Sequence, residues 1–408
     1  MPIKILLLSS LFAISTARLG QNFISYVEDR LTKASADEYK QFKEVVLGIP
    51  EGAKPLKIHH FSRSDLEDAS HKVEKFTVTL KEGEINVEKT EGPLDQNLLS
   101  FGGRQDDKVK YGQNRPVILA HGLGSYAGQM NNVRKALLEL GYKDHEIFGV
   151  FYGEPDSVLP NGPLACLYVR TLRKMIEYVH AYTKDHWEGD KEHKIDIIGF
   201  SMGVLMTRKA ILGGKCVDDP SIDLGPPLTH MIHTYIGVSG PTNGSYLCTV
   251  GKDVLKTSIA KRLSNACSKE IGFYRNSTFI KDINLVDPTG DKRTPRVQHG
   301  YEATKYRFSL TSFEYDEVVG YKKVGGTAFE GAESIQDNEK KPNGHEILLH
   351  KRASFVAKML KHPDVVQEAC KSPKLTNDTS NFSAESMQPP PYTKIATVIN
   401  KLKEVNGP

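Results

Sequence analysis

One pattern constrains this chain more than any other: between residues 115 and 212, short unbroken apolar runs alternate with segments whose apolar residues recur every three to four positions. Residues 116–120 read Pro-Val-Ile-Leu-Ala, and Met130, Val133, Leu137 and Leu140 then follow at helical spacing until Gly141 ends the helix. Residues 147–152 form a second run, and Val169, Leu172, Ile176 and Val179 mark a second helix. Residues 194–199 form a third run, followed at once by a helix over 202–212; residues 234–238 and 306–311 add two further strands. A strand that is apolar at every position is buried on both faces, and a helix between successive strands implies a parallel crossover. The predicted architecture is α/β, a mostly parallel sheet with helices on both faces.

The segments flanking this core read differently. Lys4, a mostly apolar run over residues 5–14 and the small–x–small site Ser15-Thr16-Ala17 form the three regions of a secretory leader, with cleavage expected after Ala17. The run is too short to span a bilayer, which takes about 20 residues. Residues 18–114 are read as an N-terminal extension: a surface helix or helix pair over 23–47, a β-hairpin from 73–79 and 84–87, and a loop over 89–115. The core domain is expected over 115–370, with Pro-, Gly-, Asn- and Ser-rich excursions at 213–233 and about 240–303 and a helix over 346–360. Residues 371–408 are expected to hold a polar, Pro-rich stretch over 373–391 and a short final helix over 392–405.

A secreted chain meets an oxidising compartment, so most of Cys166, Cys216, Cys248, Cys267 and Cys370 should be paired, with one left over. Asn243, Asn276, Asn377 and Asn381 begin glycosylation sequons. The net charge of +4 gives no reason to expect nucleic acid as a partner. No C-x-x-C pair occurs, and His230 and His233 lack a matching acidic ligand, so no metal site is expected.

Gly199-Phe200-Ser201-Met202-Gly203 matches G-x-S-x-G. Alone the motif is weak, since a chain of this length contains one by chance about one time in five. Here it follows an apolar strand and opens a helix, the setting of a nucleophile elbow. The elbow holds its serine in a strained turn, and small residues on either side let neighbouring backbone pass. Ser201 is therefore the candidate nucleophile. His121-Gly122-Leu123-Gly124 follows the first parallel strand, where such a loop supplies one oxyanion-hole amide while the residue after the nucleophile supplies the other. Those donors would be Leu123 and Met202; His121 holds the loop and, preceding the serine, is not the base. In chain order the acid and then the histidine follow the serine. Asp316 stands just past a late strand, with Glu314 and Glu317 as neighbours that remain open. His345 is expected on a loop before the C-terminal helix; His299 precedes the acid, and His350 would lie inside the helix.

Together these stretches resemble the class 2 lipase family of secreted α/β-hydrolases, from about residue 115 to 349. The residues that carry the resemblance are Pro116 to Gly124, Lys194 to Gly203 with Arg208-Lys209-Ala210, Gly237 to Gly244, Phe308 to Tyr321 and Gly344 to Leu349. The resemblance implies an α/β-hydrolase fold with Ser201 as nucleophile, Asp316 as acid and His345 as base; ester hydrolysis by such a triad needs no metal or organic cofactor. Secreted animal-type members often carry a cysteine soon after the acid; this chain has none between Cys267 and Cys370, so the family's disulfide pattern is not carried over. The expected activity is hydrolysis of carboxylic esters with an apolar acyl chain, on a lipid or small ester substrate, with transient contact to lipid surfaces. A catalytically silent relative that binds a lipid or a partner is the alternative. A thioester or peptide substrate is a third reading, because pocket shape and not the triad sets specificity.

Overall fold

The computed structural model describes residues 72–81, 84–93, 100–103, 109–125, 127–152, 163–245, 248, 266–284, 302–312, 316, 318–319, 327–329, 331–337, 344–371 and 392–406. The leader, the helix over 23–47, the Pro-rich stretch, Glu314, Glu317, His299, Asn377 and Asn381 lie outside these residues.

Strands β1 (Lys72–Lys81) and β2 (Glu84–Pro93) form an antiparallel hairpin in register from Lys72↔Pro93 to Lys81↔Glu84. The second strand thus runs six residues past its expected end, into residues read as loop. The rest is a seven-stranded sheet: β3 (Val117–Ala120), β4 (Ile147–Val150), β5 (Ile195–Phe200), β6 (Ile232–Val238), β7 (Tyr306–Thr311), β8 (Glu333–Gln336) and β9 (Thr393–Lys394). The spatial order is β4-β3-β5-β6-β7-β8-β9, and every neighbouring pair is parallel. Among described residues the helices are α1 (Asn131–Glu139), α2 (Cys166–Lys184), α3 (Met202–Leu212), α4 (Thr278–Ile283), α5 (Gly344–His350), α6 (Ala353–Lys361), α7 (Pro363–Ala369) and α8 (Ile395–Asn406). No described helix is long and apolar enough to cross a membrane. This is the α/β-hydrolase fold.

The unbroken apolar runs have a simple cause. Along β3, Ile118 and Ala120 pack into one core with α2, α3 and α4, while Val117 and Leu119 pack into a second with α1, α5, α6, α7 and α8. On β5, Ile195 and Ile197 face the first core and Ile198 and Phe200 the second. Alternate residues serve opposite faces, so both must be apolar. The outer edge of β4 is covered in part by Phe101, which bridges Gly149 and is wholly buried. Phe101 and Tyr111, which bridges Trp187, fall in the stretch read as loop over 89–115.

The C-terminal elements depart most from the sequence reading. The helix expected over 346–360 is two helices, α5 and α6, broken at residues 351–352. No Pro or Gly marks the break. Instead Arg352 leaves helical geometry and its Nε donates to Asp337 Oδ2 at 2.7 Å, beyond the end of β8. Strands β8 and β9 have no counterpart in the sequence pattern, since Glu-Ser-Ile-Gln is mostly polar and β9 has two residues. Residues 392–406 complete this sheet and its second core.

Two disulfides, Cys166–Cys216 and Cys248–Cys267, close loops of sequence separation 50 and 19; Cys370 is buried and belongs to neither. The first ties the start of α2 to the loop after α3. Helix α3 is further held by two ion pairs: Arg208 with Glu302 at 2.8 Å, buried on both sides, and Lys209 with Asp282 at 2.7 Å. Arg208 also donates to Asn284 and the Ile283 carbonyl. Removing one partner of such a pair leaves an uncompensated charge, so α3 is strongly tied to α4 and to the segment before β7.

Candidate active site

The chain leaves β3 toward β4 on one side and leaves β5 toward β6 on the other. Their following loops therefore diverge and open a crevice at the C-terminal ends of the two strands, the usual ligand position in such sheets. Ser201 stands there, between β5 and α3, at φ 51° and ψ −121°. That left-handed φ is costly for a residue with a side chain and lifts the hydroxyl clear of the strand. Its backbone N–H donates to the Val238 carbonyl at 2.9 Å. Glycine at 203 is required by close approach: a Cβ there would lie 2.5 Å from the Ala120 oxygen and 2.6 Å from that of His121. Helix α3 can sit against the end of β3 only without that atom.

The structure brings Ser201, His345 and Asp316 together in one line of hydrogen bonds. Ser201 Oγ lies 2.9 Å from His345 Nε2, and His345 Nδ1 lies 3.0 Å from both Oδ1 and Oδ2 of Asp316. The three are 144 and 29 positions apart in sequence, and all are buried, Asp316 completely. Asp316 Oδ1 also accepts the backbone N–H groups of Val318 at 3.0 Å and Val319 at 2.8 Å. These donors fix the carboxylate and leave it facing the imidazole. His345 is the second residue of α5 and not a loop residue before a helix, as the sequence reading had it. Its backbone carbonyl accepts from Ser239 Oγ at 3.1 Å. Ser239, just past β6, is wholly buried and has a positive φ of 50°. Its own N–H donates to the Leu310 carbonyl at 2.9 Å, so one residue links the ends of β6 and β7 to the start of α5. His350 lies in the last turn of α5, half-exposed, 3.7 Å from Glu346.

Met202 is the first residue of α3, where a helix leaves its N–H groups without internal partners. Leu123 lies on the turn after β3 and is 38% exposed, one of the few large apolar side chains so open to solvent among the described residues. Neither amide has a partner among described residues. His121 is buried, stacked on Tyr152 with ring centroids 4.3 Å apart, and burial pushes its pKa down to about 4. No group of three or more metal-ligating side chains occurs among the described residues. His233 instead bonds Thr234 Oγ1 at 2.9 Å. Gln129 and Tyr152 belong to no motif, and Ser239 falls in the 237–244 stretch, which assigns it no role; each makes a bond to backbone that the sequence does not display.

The profile of the lipase (class 2) family matches residues 114–353. No curated protein matches the chain. Among solved structures, it is similar to the Bacillus licheniformis lipase BlEst2 in mature form, at 14% identity and a TM-score of 0.41, covering 64% of this chain and 96% of that one. It is similar to Aspergillus fumigatus lipase B at 16% identity and a TM-score of 0.34, covering 60% and 49%. For the carboxylesterase CesB of Bacillus subtilis the values are 9% and 0.32, covering 71% and 90%.

Proposed function

The chain belongs to the class 2 lipase family and is a carboxylic ester hydrolase, and from that premise we propose that Ser201, His345 and Asp316 are its catalytic triad, acting on lipid esters outside the cell. The single observation that supports this reading is the continuous line of bonds from Ser201 Oγ through both nitrogens of His345 to Asp316. Ser201 Oγ attacks the acyl carbonyl carbon as His345 Nε2 takes its proton. Asp316 accepts the Nδ1–H, fixes the tautomer and stabilises the imidazolium. The carbonyl oxygen becomes an oxyanion held by the N–H groups of Leu123 and Met202, each worth about 2.7–4 kcal/mol in the transition state. His345 then protonates the leaving alcohol. Water, deprotonated by the same nitrogen, attacks the acyl-enzyme and releases the acid.

The leader at residues 1–17 and two disulfides support export. The exposed Leu123 at the mouth of the crevice suits an apolar acyl chain. A fluorophosphonate probe should label the purified protein, and Ser201→Ala should abolish labelling and lower ester turnover by at least about 10³-fold. Labelling that survives the substitution would refute the assignment. Comparing monomeric with emulsified esters separates an esterase from a lipase acting at an interface.

A further inference from the structure

Two consecutive peptide groups run past the nucleophile between His121 and Leu123. Each is one rigid plane with its C=O and N–H pointing opposite ways. In the first, the His121 carbonyl accepts from the Tyr152 hydroxyl at 2.5 Å, and the Gly122 N–H donates to Gln129 Oε1 at 2.8 Å. In the second, the Gly122 carbonyl accepts from His121 Nδ1–H at 2.8 Å. Three of the four polar ends are held by side chains. The fourth is the N–H of Leu123.

The held segment lies against the nucleophile: a Cβ on Gly122 would be 3.1 Å from Ser201 Cβ and 3.3 Å from Gln129 Oε1. Glycine at 122 lets the two planes turn relative to each other more freely than any other residue would. A peptide held at neither end can flip and reverse its N–H, so pins on both planes are what keep the Leu123 amide in one direction. The His121 pin needs a proton on Nδ1 to donate to the carbonyl. Burial keeps the ring neutral, and among the described residues Nε2 has no hydrogen-bond partner, which places the single proton on Nδ1.

We infer that Gln129 and Tyr152 are positioning residues of the oxyanion site, clamping the 121–122 peptide so that the 122–123 peptide offers the Leu123 N–H to the substrate oxygen. The inference rests on the ester-hydrolase reading with Ser201 as nucleophile. It predicts a loss confined to the transition state, where the oxyanion exists, with ground-state binding spared.

The test uses the full chain with Gln129→Met, which keeps length and removes the acceptor, and Tyr152→Phe, which removes only the hydroxyl. For each, kcat and KM on a short-chain nitrophenyl ester are measured beside inhibition by a trifluoromethyl ketone, which forms a tetrahedral oxyanion on the serine. Each variant should lose about tenfold in kcat, below the 10²–10³ that follows loss of an entire donor. KM should stay within about twofold, and the ketone's Ki should rise by the factor that kcat/KM falls. Because both residues hold one peptide, the double variant should lose less than the product of the single losses. Tyr152→Phe, the smaller change, carries the test if Gln129→Met does not fold. A folded variant with the parent's kcat/KM and Ki overturns the inference, as does a rise in KM at unchanged kcat. A parent without Ser201-dependent turnover instead overturns the reading beneath it, and the inference falls with it.

Discussion

At the scale of single residues, the site is a problem of directing hydrogen-bonding groups that have few alternatives. Asp316 has no exposed surface and spends one oxygen on the N–H groups of Val318 and Val319 as well as on His345. An asparagine there could keep its oxygen on those amides, but its NH₂ would then face His345 Nδ1. The imidazole would have to turn to the Nε2–H tautomer, which cannot take the Ser201 proton. Asp316→Asn should therefore fold, keep its KM and lose about 10⁴ in kcat, the size of the corresponding loss in a serine-protease triad. Steady-state kinetics beside a circular-dichroism spectrum decides this, and a kcat within tenfold of the parent would refute the role. Ser239 is the residue whose job is least visible in sequence. Its identity says little, yet its hydroxyl anchors the carbonyl of His345.

At the scale of elements, the elbow works because α3 begins within contact of the end of β3. The first core packs α3 against α2, and the ion pairs of Arg208 and Lys209 hold its far face. Gly203 is where this packing has no slack, since the atoms that a Cβ would meet are backbone. Gly203→Ala should push the start of α3 away from β3. The stability loss should be about 1–3 kcal/mol, as for an overpacked core. Activity should fall further than stability, because the Met202 amide, the proposed oxyanion donor, moves with the helix. Denaturant unfolding together with kcat measures both. Equal small losses in this variant would mean that the helix start is more yielding than the 2.5 Å approach implies.

At the scale of the whole molecule, buried histidines set the response to acid. His121 is held near pKa 4 by desolvation, against 6.5 for an exposed histidine. Between those values the unfolded chain binds a proton that the folded chain refuses, so stability is level above about pH 6.5 and falls as pH drops toward 4. His121 alone should remove about 2 kcal/mol by pH 5 and about 3 kcal/mol by pH 4. His180 and His193, lowered to about 4 and about 3 mainly by desolvation, act in the same direction but are partly solvated and contribute less. His350, raised by its bond to Glu346, acts in the opposite sense from a half-exposed position. Tm should thus drop between pH 7.5 and pH 5, and the drop should be shallower in His121→Asn. A Tm profile that is flat in the parent, or equally steep in the variant, would contradict this account.

Features carried by local sequence are legible in the chain itself. Runs such as residues 116–120 mark strands covered on both sides because alternate residues feed opposite cores, and G-x-S-x-G after one such run marks the turn because the strain at Ser201 is resolved within a few residues. The order of acid and histidine points to Asp316, with Glu314 and Glu317 left open beside it, and to His345, but only folding sets the 2.9 and 3.0 Å spacings between Ser201, His345 and Asp316. The rest depended on contacts between distant segments. The break between α5 and α6 comes from Arg352 reaching Asp337, the short strands β8 and β9 from neighbours already in the sheet, and the cysteine pairing from where α2 and the loop after α3 meet. Backbone and side-chain periodicity are short-range properties that a sequence displays directly. A hydrogen bond between residues 31 positions apart, such as that from Tyr152 to the His121 carbonyl, has no sequence signature, because the chain between them can be closed in many ways and only the packed core selects one.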